Sequence, residues 1–328
     1  MSLRAFVTGG SGFVGSNLLK QLCQAGWQVT ALVRDTSPME DIHNLDATFV
    51  NGDVTDANSV LAAMPADLDA VFHVAASTSI WSGNNLAQRR INVDGTRHVV
   101  DAAIRRNAKR LIHTSSFVVW GFHRDVLQET SPRLENADWI NYVRTKFEAE
   151  EIVREAVANH GLDAVILNPA HILGPGDRHN WSRVIRMVHR NRLPGVPPGG
   201  GAFADVREVA RAHINAFHNG RGGENYLLGG PDTQFIDIVR MTGKLLKRKV
   251  PARPTPSWLL KIIARLQAMV AAITRKEPEI TPEGAAMITR HIQCDSSKAT
   301  AELDYRFTAV DQLLADTCRW MRNKGMLN

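Results

Sequence analysis

Three glycines spaced three apart, Gly9, Gly12 and Gly15, stand between a short apolar run, "RAFVTG", and a segment of helical periodicity that begins at Phe13. A chain can leave a buried strand and enter a helix within so few residues only where no side chain obstructs the turn. The same grammar then repeats. "RAFVTG", "QVTALVR", "ATFVNGD", "DAVFHVA", "RLIHTSS" and "LDAVILNP" read as six strands, with helix-sized segments at 13–25, 86–106 and 139–159 between them. Their continuous apolar character, without strict alternation, suits parallel strands covered on both faces. The spacing therefore predicts an α/β fold, a doubly wound (Rossmann) parallel sheet.

After Pro169 the pattern changes. "GPGD", "RLPGVPPGGGAF" and "GGPD" are loop-rich, and "VPARPTPS" reads as an extended connection. "FADVREVARAHINAFH" and "ENYLLGG" are expected to return to the main sheet as a helix and a further strand. The expected division is a dinucleotide-binding domain from 1–170 and 205–232, with a smaller, mostly helical lobe for substrate from 171–204 and 233–328.

In a strand–glycine–helix turn of this kind each glycine has a task. Gly9 permits the tight turn, Gly12 lets backbone approach a pyrophosphate, and Gly15 lets the helix pack closely on the strand. The first helical turn, from Phe13 and Val14, then offers free N–H groups and the positive end of its dipole to the phosphates. The second strand ends in "ALVRD". An acidic residue at that end would take ribose hydroxyls, whereas Arg34 suits a 2′-phosphate, so NADP is expected in preference to NAD.

Composition narrows the remaining classes. An apolar share of 44% supports a sizeable core. The net charge of +6 comes from scattered clusters such as "RRNAKR" and "KLLKRK", without interleaved aromatics, so nucleic acid is not expected as a partner. Cys23, Cys294 and Cys318 have no ligand spacing and read as reduced thiols of a cytoplasmic protein. No histidine pair has zinc-like spacing with a third ligand nearby, so no metal is expected. The sequence offers neither a secretory leader nor a run of eighteen apolar residues.

Several motifs resemble those of the extended short-chain dehydrogenase/reductase family, within the NAD-dependent epimerase/dehydratase superfamily. "TGGSGFVG" is similar to its TGxxGxxG turn through Thr8, Gly9, Gly12 and Gly15. The resemblance implies Asp53 and Val54 of "GDVTD" beside adenine, and Ala75, Ala76 and Ser77 of "HVAAS" against the cofactor. "NVDGT", Asn92 to Thr96, resembles the helix that follows. "TSSFVVWG" carries Thr114, as a cofactor contact, and Ser116 at the catalytic serine position; "YVRTK" matches YxxxK through Tyr142 and Lys146. "NPAHILGPGD" resembles the loop that places Pro169 and Ile172 near the nicotinamide, and "DSSKATAELDYRFTAVDQLLADT" the family's C-terminal segment.

The chemistry explains these residue types. Hydride transfer to a carbonyl leaves an alkoxide that needs a proton near neutral pH. A tyrosine can supply it if a neighbouring ammonium lowers its pKa from about 10. Residues four apart share a helix face, so Tyr142 and Lys146 can act together, with Ser116 polarising the carbonyl. Only three tyrosines occur, and Tyr226 and Tyr305 are followed four residues on by Gly230 and Ala309 rather than lysine.

The approach to "FADVREVARA" reads "GVPPGGGAFADV", without the arginine that nucleotide-sugar enzymes of the family usually carry there. "HVAAS", "LVRD" and "LNPAHILGPGD" look closer to the dihydroflavonol reductase, cinnamoyl-CoA reductase and 3-beta-hydroxysteroid dehydrogenase branch. This resemblance implies NADPH-dependent reduction of a ketone or aldehyde on a mainly apolar small molecule. A nucleotide-sugar epimerase or dehydratase with recycled nicotinamide, and an NADP-sensing binding protein, are the competing readings. Candidate substrate residues are Ser77, Ile80, Trp81, Ser116, Phe117, Trp120, Trp139, His171 and Trp181.

Two further expectations concern surfaces. Helices 86–106 and 139–159 carry Ile91, Val99, Phe147, Ile152 and Val153, more apolar positions than one sheet face needs, and a homodimer through them is expected. "SWLLKIIARLQAMVAAITRK" is amphipathic, with Trp258, Leu259, Ile262, Ile263, Leu266, Met269, Val270 and Ile273 at helical spacing. It is expected to pack over the substrate pocket rather than on a membrane.

Overall fold

The computed structural model describes residues 2–327. Seven parallel strands form the main sheet: β1 (Arg4–Thr8), β2 (Gln28–Val33), β3 (Thr48–Asn51), β4 (Ala70–His73), β5 (Arg110–Thr114), β6 (Ala164–Pro169) and β9 (Asn225–Leu228), in the order β3-β2-β1-β4-β5-β6-β9. The order reverses between β1 and β4, the switch point at which doubly wound sheets bind ligands. β4 and β6 are buried along their whole length, which accounts for their unalternating sequences.

Helices cover both faces. On one lie α1 (Phe13–Gln24) and α7 (Val206–Asn219), whose Leu18, Leu19, Val209 and Ala216 share a core with Val7 and Phe72. On the other lie α2 (Ala57–Ala63), α4 (Gly95–Arg105) and α5 (Asn141–His160), around Val60, Val99 and Val153. α4 continues a short helix α3 (Asn85–Arg89) through one π turn, Arg90–Asp94. Asp56 accepts from the backbone N–H groups of Asn58 and Ser59 to start α2, and Gly161 at φ +65° ends α5 in the left-handed conformation.

The smaller lobe has a sheet of its own. Its central strand β8 (Gly200–Asp205) pairs in parallel with β7 (His171–Leu173) and β11 (His291–Ile292), and antiparallel with β10 (Asp232–Gln234). "FAD" thus belongs to this sheet, and α7 starts at Val206, capped by Asp205. Around it pack α6 (Trp181–His189), α8 (Phe235–Leu246) and α12 (Val310–Asn323) on a core that includes Phe203, Phe235 and Leu314. α9 (Ser257–Thr274) and α10 (Pro282–Ile288) pack on one another.

One segment assigned to the lobe from sequence lies elsewhere. α11 (Ser297–Leu303) packs against α7 and β9 of the dinucleotide-binding half. Ala299, Leu303 and Tyr305 join the core of Ala212, Ala216 and Tyr226, and the Tyr305 hydroxyl donates to the Gly229 carbonyl at 2.6 Å. The apolar positions offered for dimerisation are also largely used within the chain. Val99, Ile152 and Val153 are buried against the sheet, and the Arg133 guanidinium sits 3.7 Å over the Phe147 ring.

Candidate active site

The glycine turn follows β1 as its spacing requires. Gly9 has φ +74°, and a Cβ there would stand 2.6 Å from the backbone nitrogen of Ala75, where β4 ends. A Cβ on Gly15 would fall inside contact distance of the Gly9 carbonyl oxygen, so only glycine lets α1 approach the turn this closely. A Cβ on Gly12 would meet only that same oxygen, at 3.2 Å, and its other side is open. α1 has no side-chain cap and no acidic residue in its first turn, leaving its N–H groups and dipole free for an anion. Thr8 is fully buried and holds the strand ends together, 2.8 Å from Nδ1 of His73.

Arg34 is exposed just beyond β2, and its guanidinium makes no ion pair or hydrogen bond among the described residues. Asp53 follows β3 and is occupied by its own turn, accepting from the Thr55 N–H and hydroxyl at 2.9 Å. Val54 is buried and would meet a Cβ on Gly95 at 3.0 Å, so it packs α4 onto the sheet. Ala75 and Ser77 are half-buried and Ala76 is exposed, in the loop after β4.

Polar side chains whose contacts the sequence does not show hold that loop. Asn92, buried in the π turn, accepts from the Ser77 N–H at 2.7 Å and donates to the Ser77 carbonyl at 3.0 Å. Gln88 donates to the carbonyls of Ser77 and Ser79, and receives Asn141 at 2.8 Å. The π turn adds a residue to the helix, and such turns concentrate at functional sites. "NVDGT" drew notice to Asn92 without showing what it binds.

Ser116 follows β5 at the entry to a short 3-10 turn, Phe117–Trp120. Tyr142 and Lys146 lie four residues apart in α5. The Lys146 ammonium donates to the Thr114 carbonyl at 2.7 Å, so strand end and helix are joined at the predicted trio. Burial holds Lys146 down at about 8, against the pull of the Glu150 carboxylate one turn on. Burial pushes the Tyr142 phenol above its ordinary value, with a hydrogen bond to the Ser116 side chain acting the other way. The expected lowering of Tyr142 by Lys146 is thus not what this arrangement shows. The ammonium is committed to the Thr114 carbonyl, and desolvation dominates the phenol.

Beneath the trio lies a second buried polar group absent from the sequence reading. Glu150 accepts from Asn168 at 3.0 Å, Asn225 at 2.7 Å and Arg154 at 2.9 Å; Asn168 also donates to the Ser116 carbonyl at 3.2 Å. It fixes the backbone of Ser116 from behind. Nothing in spacing marks these residues, since their partners lie on β6, β9 and α5.

The substrate candidates separate into groups. Phe117 stacks edge-on to His171 at 5.6 Å, and His171 in turn meets Phe203 and Phe235. His171 is neutral, held at about 4 chiefly by burial. Trp181 contacts Phe203 and Phe235 at 5.1 and 5.2 Å, packing inside the lobe core. Pro169 is buried at the end of β6 and Ile172 half-buried in β7. Trp120 is buried, whereas Trp139 is 55% exposed. The Ile80 carbonyl accepts from Thr281, and Trp81 borders a cleft of about 380 Å³ together with Ala268, Ala271 and Thr281.

A doubly wound sheet with a glycine turn at its switch point and a serine–tyrosine–lysine trio beside it defines an NAD(P)-dependent oxidoreductase of the extended short-chain type. The chain belongs to the NAD dependent epimerase/dehydratase family, whose pattern it matches over residues 5–229. It is 32% identical to a putative dihydroflavonol 4-reductase of Synechocystis sp., over 98% of this chain and 95% of that one. It is equally similar, at 32%, to a 4-hydroxy-2-methyl-3-oxo-4-farnesyl-3,4-dihydroquinoline-1-oxide ketoreductase of Stigmatella aurantiaca, over 97% and 96%. The crystal structure of gox2253 superposes with a TM-score of 0.86 at 29% identity, covering 99% of each chain.

Proposed function

We propose that the protein is an NADPH-dependent reductase of a ketone or aldehyde carried on a mainly apolar small molecule. The observation that carries this reading is the junction of β5 and α5, where the Lys146 ammonium donates to the Thr114 carbonyl at 2.7 Å, Ser116 follows the strand and Tyr142 stands one turn before Lys146 on the helix. The ketoreductase and dihydroflavonol reductase relatives support it.

The chain fits the dinucleotide. The open side of Gly12 and the uncapped start of α1, at Phe13, Val14 and Gly15, suit its pyrophosphate, and the unpaired Arg34 suits a 2′-phosphate. In this reading Asp53 and Val54 would flank the adenine, Ala75, Ala76 and Ser77 would border the ribose side, and Pro169 and Ile172 would bound the nicotinamide. Bound there, the nicotinamide would supply hydride to a substrate carbonyl. Ser116 and Tyr142 hold the carbonyl oxygen, and the Tyr142 hydroxyl gives it a proton. A phenol whose pKa is raised is protonated at neutral pH, the form a donor needs in the reductive direction. Lys146, with two N–H groups left beside its bond to the Thr114 carbonyl, would hold the cofactor ribose as an ammonium, and Phe117 and His171 would present an apolar wall to the substrate.

Arg34→Asp tests the cofactor. It replaces a charge-assisted contact with repulsion, and NADPH affinity is expected to fall by roughly 10- to 100-fold while NADH affinity holds. Fluorescence titration reads both; equal affinity for the two cofactors in the unmodified protein contradicts the assignment. Incubation with a panel of apolar carbonyl compounds is expected to consume NADPH stoichiometrically. Turnover of a nucleotide sugar without net consumption would instead establish an epimerase.

The pH profile follows from Lys146. With its pKa at about 8, the group is charged below that value and loses its charge above it. Reduction, as kcat/KM, is expected to be level from pH 6 to 7 and to decline as pH rises through about 8, approaching tenfold per unit. A profile level to pH 10 would remove the lysine charge from the mechanism.

A further inference from the structure

α9 turns most of its large apolar residues away from the protein, and only Leu259, Leu260 and Ile263 among them are half-buried. Ala264 and Ala271 alone are buried in it, while Trp258, Ile262, Leu266, Met269 and Ile273 are exposed by 47–85%. These five recur at i, i+4, i+8, i+11 and i+15, so they form one stripe along the side of the helix opposite Ala264 and Ala271. The small residues Ala268, Ala271 and Ala272 are what line the cleft shared with Trp81, which explains why the expected packing is inverted. A continuous stripe of this kind on an isolated chain marks a contact surface.

The charges beside it select what covers it. α9 contains no acidic residue; its only charged side chains are Lys261 and Arg265, and Arg275 and Lys276 follow directly, ahead of Glu277 and Glu279. The connection leading into it carries Lys247, Arg248, Lys249 and Arg253. All eight are exposed, and none forms an ion pair among the described residues. A second copy seated stripe to stripe about a two-fold axis would bring these unpaired cations towards their own counterparts. An anionic lipid surface matches both features, taking the stripe into its acyl boundary and the cations at its headgroups.

We propose that α9 docks this enzyme in the plane of a bilayer surface containing anionic phospholipid. The helix is long and apolar enough to cross a membrane by composition, but its attachment to α10 through the alanine face holds it against the protein. It therefore lies along the interface, which also sets the Trp81 cleft beside the lipid.

Co-sedimentation of the full chain with vesicles of phosphatidylcholine, with and without phosphatidylglycerol, tests this without any substrate. Binding is expected with phosphatidylglycerol present, and to weaken with added salt. The pair Ile262→Asp and Met269→Asp is expected to lower it by at least about tenfold, with the melting temperature and NADPH affinity unchanged. Lys261→Gln with Arg265→Gln should weaken binding selectively on the anionic vesicles. No sedimentation of the unmodified protein overturns the proposal. So does a dimer by light scattering that Ile262→Asp dissociates, which would show a second copy covering the stripe.

Discussion

Tyr142→Phe is expected to lower the rate of carbonyl reduction by about 1,000-fold, within the range that a positioned proton donor contributes. NADPH affinity should change by no more than about twofold, because in the proposed mechanism the lost hydroxyl meets the reacting oxygen and the phosphates lie at the glycine turn. The fold has no reason to suffer: the change removes one hydroxyl and leaves the ring and the backbone of α5 in place. Single-turnover absorbance at saturating NADPH separates the two effects. A variant that turns over normally would show that the proton arrives from another group and would withdraw Tyr142 from the mechanism.

Gly15→Ala should have the other large effect, through cofactor binding. Its Cβ would collide with the Gly9 carbonyl, a backbone atom that cannot rotate away, so α1 must retreat from the turn. Such overpacking costs about 1–3 kcal/mol. Because the displaced atoms include the N–H groups expected to meet the pyrophosphate, the distortion should appear as a roughly 10- to 100-fold rise in the Kd for NADPH. Gly161→Ala supplies the control. Gly161 has φ +65° but nothing within 4 Å of an added Cβ, so stability should fall by about 1 kcal/mol with unchanged binding. Equal binding by the Gly15→Ala protein would mean that the turn does not carry the phosphates.

The main sheet was legible because its signals are local. Each strand is a short apolar run between turn residues, and the glycine spacing dictates one strand–turn–helix geometry whatever surrounds it. The placement of the three residues was legible for a similar reason, since YxxxK puts Tyr142 and Lys146 on one helix face and Ser116 follows a strand. Glu150, Asn168 and Asn225 were not, because their meaning lies in a meeting of three elements far apart in sequence. The placement of α11 failed likewise: Ala299 and Leu303 look like any short amphipathic pattern, and only the core left open between α7 and β9 assigns them. The stripe of α9 was read correctly as a stripe and wrongly as a pocket wall. Periodicity reports which residues share a face, not what that face meets.

The return of α11 to the first half of the chain has a consequence for synthesis. The dinucleotide-binding unit looks complete once β9 has emerged, yet Ala212, Ala216 and Tyr226 remain uncovered until Ala299, Leu303 and Tyr305 arrive near the end of translation. A nascent chain therefore carries an apolar surface through the making of the whole lobe, the interval in which association with other chains or with chaperones is favoured. Folding is closed by the last segments made, so truncation inside α11 would unsettle the half of the enzyme that was translated first.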